Sequence, residues 1–400
     1  MTSATSYVVT LSGQDGPGIA ERAFSVLDSS GIAVRDVEQV QVHGRLLLCV
    51  EIEVEVVGAV DMVRAALAEE LAPRHIDVAI TALVESEVVA SVDRFLVTVL
   101  APTIDAATLG QVSGRIAACH GNIERVVRLS AYPVQSYEFT VNGGDLDQLR
   151  RALADQAVHS EVDIAVQIDG LHRRAKHLIV LDADSTLLQG EVIDLLAAQG
   201  GCGAQVEAIT RAAMEGTIDF EEALRQRVQL LQGLGEADLE AVRQSLLLSP
   251  GARTLVRTLG RLGYEIAVVS GGFTQIIAPL VEELGIAYLA ANVLAVEAGL
   301  LTGGLEGAIV DRAGKADALV RFAGEAGVPL SRTIAVGDGA NDLDMLAVAG
   351  LGIAFNAKPV VRQAADTALS VPYLDAILFM LGISRDEVET ADQRDEEGGL

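Results

Sequence analysis

The sequence predicts an α/β protein in which two βαββαβ units precede a doubly wound parallel core that carries a helical insertion. Three observations predict it. The order strand, helix, strand, strand, helix, strand occurs twice before residue 170, at a repeat of roughly ninety residues. From residue 178 onward, short apolar runs alternate with helical periods, the mark of a parallel sheet covered on both faces. Half of the 400 residues are hydrophobic, aromatics make up 4% and Trp is absent, a composition suited to Ala, Val and Leu packing between layers.

In the first unit, residues 6–11 read as a strand and 18–27 as a helix. Residues 32–42 and 46–54 alternate as a hairpin about His43-Gly44, 59–71 is helical, and 76–84 closes the sheet. The second unit repeats the order at 95–100, 107–119, 123–129, 137–141, 146–157 and 162–168. The core follows with strands at 178–181, 266–269, 334–336 and 352–355 and helices at 255–262, 274–284, 316–326 and 343–349. Residues 191–248 are helical throughout and form an insertion after the first core strand. The resulting domains are 1–86, 92–170 and 171–385, with the helical cap at about 192–248 and a basic linker at 172–176. The acidic residues 386–400 read as a flexible, solvated tail.

A formal charge of -27 argues against nucleic acid and anionic membrane as partners, since such a surface would repel both. Phosphate esters are repelled too, so a site for one must gather positive charge locally. No apolar stretch reaches the roughly 18 residues of a membrane span without a charge or breaker, and no signal peptide is apparent. Cys49, Cys119 and Cys202 lie far apart and read as reduced thiols of a cytoplasmic protein. His43, His75, His120, His159, His172 and His177 form no metal-ligand cluster.

Chemistry concentrates at strand ends, where an open parallel sheet presents its ligand site. Asp182 and Asp184 follow the first core strand, and two carboxylates so close need a cation or a shared proton. Ser270-Gly271-Gly272 ends the next strand and offers a hydroxyl and free N–H groups to a phosphate. Lys315 opens a helix, and Asp338 and Asp342 flank a glycine turn that can complete an oxygen-rich Mg²⁺ site. Each motif alone is an ordinary turn or helix start.

Together, in this order and spacing, the four motifs resemble the haloacid-dehalogenase-like phosphatases over residues 178–381, which implies a Rossmann-like core. The resemblance implies that Asp182 is the nucleophile that becomes an aspartyl phosphate and that Asp184 is the acid and base. It further implies that Asp182, the Asp184 backbone carbonyl and Asp338 hold Mg²⁺, that Asp342 orients that shell from behind, and that Ser270 and Lys315 bind the phosphoryl group. Ala183 departs from the pattern, where a larger residue often stands, and is expected to affect packing more than chemistry.

Glu191 and Arg227 in the insertion suit the ammonium and carboxylate of a zwitterion, although ordinary surface charges on helices would look the same. With Met214, Phe220, Gly271, Gly272 and Asn341, they resemble the substrate contacts of the branch of that family acting on phosphoserine. The two front units resemble ACT domains, ferredoxin-like modules that bind amino acids and commonly pair, which implies a homodimer or higher homo-oligomer. Gly13-Gln14-Asp15-Gly16-Pro17-Gly18 carries this resemblance, with Gly13, Asp15 and Gly18 as effector contacts and serine as the implied effector. The second copy, at Ala101-Pro102-Thr103-Ile104-Asp105, lacks the Pro-Gly turn. Two other readings stay open: a phosphatase for another small ester or a phosphopeptide, and an amino-acid sensor with an inactive phosphatase domain.

Overall fold

The computed structural model of the chain describes residues 5–54, 58–83, 93–170, 177–214 and 217–398. The basic run at 172–176 lies outside the described residues. The chain divides into two compact units, Met1–Ser91 and Val92–Leu400.

The first unit is a four-stranded antiparallel sheet in the order β2-β3-β1-β4, from β1 (Thr5–Gln14), β2 (Ala33–Val42), β3 (Arg45–Val54) and β4 (Ile76–Ala82). Alternation along β3 buries Leu46, Leu48, Val50, Ile52 and Val54 under the helices Ile19–Ser29 and Ala59–Leu71. The second helix contributes Val63, Leu67 and Leu71, spaced by one turn along a single face. His43 and Gly44 both take positive φ, 47° and 76°, as a two-residue turn of matching twist demands. Strand β2 is exposed along its whole length.

The second unit opens with the repeat of this motif: β5 (Arg94–Ala101), β6 (Asn122–Ser130), β7 (Gln135–Asn142) and β8 (Asp163–Ile168), ordered β6-β7-β5-β8. Phe95, Val97 and Val99 on one face of β5 pack under the helices Ala106–Ala118 and Leu146–Ser160. Leu100, Leu129, Val134 and Ala165 instead join the core of the large α/β sheet. Hydrogen bonds fix that contact. Asp163 accepts from the Ser370 N–H at 2.6 Å, and Gln167 Nε2 donates to the Met380 carbonyl at 2.7 Å.

The large sheet has seven strands, ordered β12-β11-β10-β9-β13-β14-β15. They are β9 (Leu178–Asp182), β10 (Glu265–Phe273), β11 (Tyr288–Glu297), β12 (Leu300–Glu306), β13 (Thr333–Gly337), β14 (Gly352–Phe355) and β15 (Thr367–Leu369). All pairs are parallel except β11 with β12. Both faces are covered: Ile179 and Leu181 face one buried layer, Leu178 and Val180 the other with Leu319 and Phe322. The chain runs from β9 to β10 on one side and later to β13 on the other. That reversal opens a crevice at the strands' carboxyl ends. Strands β11, β12 and β15 go beyond the four expected.

The insertion consists of the helices Val192–Gln199, Gly203–Met214, Phe220–Gln229 and Glu236–Ser245. It leaves and rejoins the core through adjacent segments, with Leu188 bridged to Leu248 and the Gln189 N–H donating to the Leu247 carbonyl. It is also tied to β12, since Gly233 N donates to Leu301 O and Leu301 N to Leu234 O, each at 2.8 Å.

The acidic end corrects the expectation of a flexible tail. Residues Arg385–Gly398 form a helix, because its acids face cations distant in sequence: Asp392 pairs with Arg257 and Arg261, and Asp395 with Arg261. Val388 is buried beneath it. Near its start, Arg385 meets the buried Asp375 at 3.3 Å. Gly251, in the left-handed region at φ 82°, abuts that same aspartate so closely that a Cβ would overlap its carboxylate. Gly251→Ala is therefore expected to cost about 1–3 kcal/mol through strain and displacement of Asp375. A lowered melting temperature checks this, and an unchanged one would show that the loop has room.

Candidate active site

The site is built at the carboxyl ends of β9, β10 and β13. Strand β9 is buried throughout and ends at Asp182, which is 2% exposed. The chain then stays extended at Asp184 and turns left-handed at Ser185, φ 59°. This uncommon conformation for a residue with a side chain is held by Ser185 N donating to Gly190 O and Leu188 N donating to Ala183 O. Both aspartates are thereby held in one crevice.

Lys315 enters from the helix Arg312–Glu325, whose first turn is capped by Asp311 accepting from the Gly314 N–H. Its Nζ donates to Asp182 Oδ1 and to Asp342 Oδ1, both at 2.6 Å, and all three side chains are essentially sealed from solvent. Asp342 is held from its other oxygen by the Gly339 N–H. Gly337 is required beside it, because a Cβ there would overlap the Asp342 carboxylate.

Oxygens of Asp182, Asp338 and Asp342 lie within 4.8 Å of one another. Three carboxylates against one ammonium leave an uncompensated negative charge, and hard oxygen donors at this spacing fit a divalent cation. Asp342, expected behind the metal shell, is near this cluster while its two oxygens accept from the Lys315 ammonium and the Gly339 N–H. The titration behaviour agrees. Burial raises Asp182 well above the usual carboxylate range, against Lys315 and with help from Asp342 and Asp184. Burial and the neighbouring Asp342 push Asp338 up to about 6. Burial alone would lower Lys315, but Asp182 and Asp342 more than reverse it, so the ammonium is held charged.

Asp184 is anchored from two sides. Oδ1 accepts from the Val192 N–H, at the start of the first cap helix, at 2.7 Å, and Oδ2 accepts from Ser270 Oγ at 3.0 Å. Burial outweighs both bonds and raises its pKa above the usual carboxylate range. Ser270-Gly271-Gly272 forms a bulge: Val269 pairs with Ala290 but Phe273 with Asn292, so the strand carries extra residues that swing into the crevice. Gly272 N donates to Ser270 Oγ, and a Cβ at Gly272 would stand 2.9 Å from Asp184 Oδ2.

A cavity of about 390 Å³ opens over these groups, lined by Asp182, Asp184, Glu191, Phe220, Arg227, Gly271, Gly272, Lys315, Asp338 and Asn341. The structure thus brings together nearly all the residues singled out from the sequence, with Ser270 and Asp342 just behind the wall. Met214 ends a cap helix and its side chain lies outside the described residues. Glu191 opens onto the cavity, and burial with the nearby Asp184 pushes it up to about 7. Arg227 stands across the space, its Nη1 donating to Thr210 Oγ1 at 3.5 Å, and among the described residues it makes no ion pair with Glu191. Thr210 and Lys358 also line the cavity, and neither belongs to a motif that announces it.

The first unit has its own shallow depression, lined by Asp15, Gly16, Pro17, Gly18 and Gln39 among others. Gly13 is left outside that lining; a Cβ there would press on the His75 carbonyl, so packing against β4 is what fixes this glycine. Gly18 precedes the helix Ile19–Ser29 without a side-chain cap. In the repeat, Asp105 fills the equivalent place by accepting from the Thr108 N–H.

Fold and site together define a haloacid dehalogenase-like hydrolase behind two ACT domains. Family models agree: residues 179–347 match the haloacid dehalogenase-like hydrolases, and 5–81 and 94–167 each match an ACT domain. The chain is 49% identical to the phosphoserine phosphatase of Streptomyces coelicolor, over 97% of this chain and 94% of that one. It is 45% identical to phosphoserine phosphatase SerB2 of Mycobacterium tuberculosis, over 99% and 97%. Among solved structures, a probable phosphoserine phosphatase from Vibrio cholerae superposes with TM-score 0.58 at 32% identity, covering 74% of this chain and 88% of that one. A haloacid dehalogenase-family hydrolase from Salmonella enterica serovar Typhi gives 0.64 at 28%, covering 72% and 98%. The chain belongs to the phosphoserine phosphatase family.

The raised carboxylates carry a sign that can be measured. In metal-free protein Asp338 and Glu191 keep protons to about 6 and about 7, above their unfolded values of 3.8 and 4.5. The folded state binds more protons in that window, so the stability they contribute is present at low pH and is lost as pH rises through 6 to 7. In EDTA the melting temperature is expected to fall between about pH 5 and about pH 8. A divalent cation at about 100 times its Kd should restore about 2.7 kcal/mol at the upper end and little at the lower. A cation effect that is absent, or equal at both ends, would remove the cluster as a metal site.

Proposed function

We propose that the chain hydrolyses O-phospho-L-serine to L-serine and phosphate through an aspartyl phosphate on Asp182, as the last step of serine biosynthesis. One observation supports the substrate assignment: Glu191 and Arg227 both line the cavity that holds Asp182 and Lys315, and among the described residues they form no ion pair with each other. A free ammonium and a free carboxylate on the same small ester satisfy both, whereas a phosphopeptide has neither beside its phosphate.

Asp182 attacks phosphorus while the bond to the serine oxygen breaks, and Asp184 gives that oxygen its proton. Burial raises the pKa of Asp184, which favours the protonated form this task needs. The resulting Asp184 carboxylate then takes a proton from water as the water attacks phosphorus, which frees phosphate and restores Asp182. Lys315, the Ser270 hydroxyl and the N–H groups of Gly271 and Gly272 hold the phosphoryl oxygens. Mg²⁺, held by Asp182, Asp338 and the Asp184 carbonyl, with Asp342 orienting that shell, would offset charge on the phosphoryl group and orient the nucleophile. Phe220 and Met214 would shield the cap side from water, and Asn341 would contact the substrate.

Domain limits of 1–86, 92–170 and 171–385 fit this division of labour. Asp15 and Gly18, beside the uncapped helix start, support binding of an amino acid effector such as serine in the first domain. The bare strand β2, with Val34, Val37, Val40 and Val42 exposed, supports pairing into a homodimer or higher homo-oligomer. Unpaired Cys49, Cys119 and Cys202 fit a reducing cytoplasm, and among the described residues no helix is long and apolar enough to cross a membrane.

Two variants test the reading. Asp182→Asn should lose at least about 10³-fold in kcat while staying folded, since it removes the nucleophile but leaves Asp342 paired with Lys315; near-wild-type turnover would refute the nucleophile. Arg227→Ala should lose about 2–4 kcal/mol in kcat/KM on phosphoserine but little on p-nitrophenyl phosphate, which has no carboxylate. Equal losses on the two substrates would take Arg227 out of substrate selection.

A further inference from the structure

We propose that Asn292, outside every motif considered above, is the positioning residue that locks the phosphoryl-binding loop and the Lys315 helix into one geometry, each through one end of its side-chain amide. The proposal rests on the phosphatase reading of the site and adds to it a residue that touches no substrate. Asn292 lies on β11 and is 1% exposed. Its Nδ2 donates to the Gly271 carbonyl at 2.8 Å, and its Oδ1 accepts from the Val310 N–H at 2.9 Å.

Both partners need it for a structural reason. The bulge between Val269 and Phe273 takes Gly271 out of the ladder with β11, so its carbonyl has no strand partner there. Phe273 resumes pairing opposite Asn292 itself, which places the side chain against the bulge. Val310 immediately precedes Asp311, the residue that caps the Lys315 helix. Fixing the Val310 N–H therefore sets where that helix begins and where Lys315 reaches. Only one orientation of the amide serves a carbonyl on one side and an N–H on the other. An aspartate would keep the Val310 bond but turn an acceptor toward the Gly271 carbonyl. An alanine would lose both.

Misplacing Gly271 and Lys315 should impair the phosphoryl step whatever the leaving group, because neither group reads the rest of the ester. Expected for Asn292→Ala and Asn292→Asp in the full-length protein is a kcat loss of about 10²-fold, equal on phosphoserine and p-nitrophenyl phosphate, with KM for phosphoserine changed by less than about threefold. Leu294→Ala is the control: it truncates a buried side chain of the same strand that contacts neither loop through its amide, and should melt lower while keeping kcat within about threefold. The near-isosteric Asn292→Asp keeps the test informative where the alanine variant does not fold. Retention of kcat by the Asn292 variants, or an equal kcat loss in Leu294→Ala at matched melting temperature, overturns the proposal. If wild type turns over p-nitrophenyl phosphate but not phosphoserine, the substrate reading fails, and the comparison on p-nitrophenyl phosphate still decides the role of Asn292.

Discussion

The buried ammonium of Lys315 between Asp182 and Asp342 is the constraint on which the rest of the site depends. Charges removed from water persist only with partners, and losing one partner of such a group commonly costs about 3–5 kcal/mol. Here one cation answers two of the carboxylates, each 2.6 Å away, and Asp338 adds a third close by. The arrangement is deliberately short of positive charge. A site that must receive a dianionic ester in a chain of formal charge -27 cannot rely on the general field, which repels it. It needs local charge that is fixed in place and a deficit that a metal ion can fill.

Fixing that charge depends on the residues packed around it. Asp311 caps the helix that delivers Lys315, Gly337 leaves room for the Asp342 carboxylate, and Gly272 leaves room for Asp184. Asp184 connects core to cap, since its carboxylate receives the N–H at the start of the first cap helix and the hydroxyl of Ser270. The cap is thereby tied to the same side chain that is proposed to move the proton. Its attachments also include backbone pairs at Leu188 with Leu248 and at Gly235 with Leu300, so Glu191 and Arg227 are carried on a body joined to the core at defined places.

Much of this was legible because the chemistry is local in sequence. Asp182 and Asp184, Ser270 to Gly272, and Asp338 to Asp342 each sit where an apolar run ends, and a strand end in a parallel sheet is where such residues meet. What escaped depends on tertiary partners. Strands β11 and β12 are rich in Ala and Gly and alternate weakly, and their turn is marked only by Ala298 and Gly299, both at positive φ. Asn292 looked like any polar residue in that stretch until the bulge in β10 gave it a carbonyl to bind. The acids of the C-terminal helix resembled a solvated tail because Arg257 and Arg261 lie some 130 residues away.

The duplicated front domains show how one motif acquires two physical roles. In the first copy the helix after β1 begins at Gly18 with no side-chain cap, so its N–H groups stay open beside Asp15. In the second, Asp105 has taken that place, and the anion a ligand would bring is built into the chain. The second copy has spent its other sheet face as well, giving Leu100, Leu129 and Ala165 to the catalytic core. Its Asp163, raised by burial, receives the Ser370 N–H and lies 3.8 Å from Arg362. Arg362 belongs to the helix Pro359–Ala364, and that helix with Lys358 before it places Lys358, Val360 and Val361 along the cavity. A single short helix thus borders the second ACT domain on one side and the substrate space on the other.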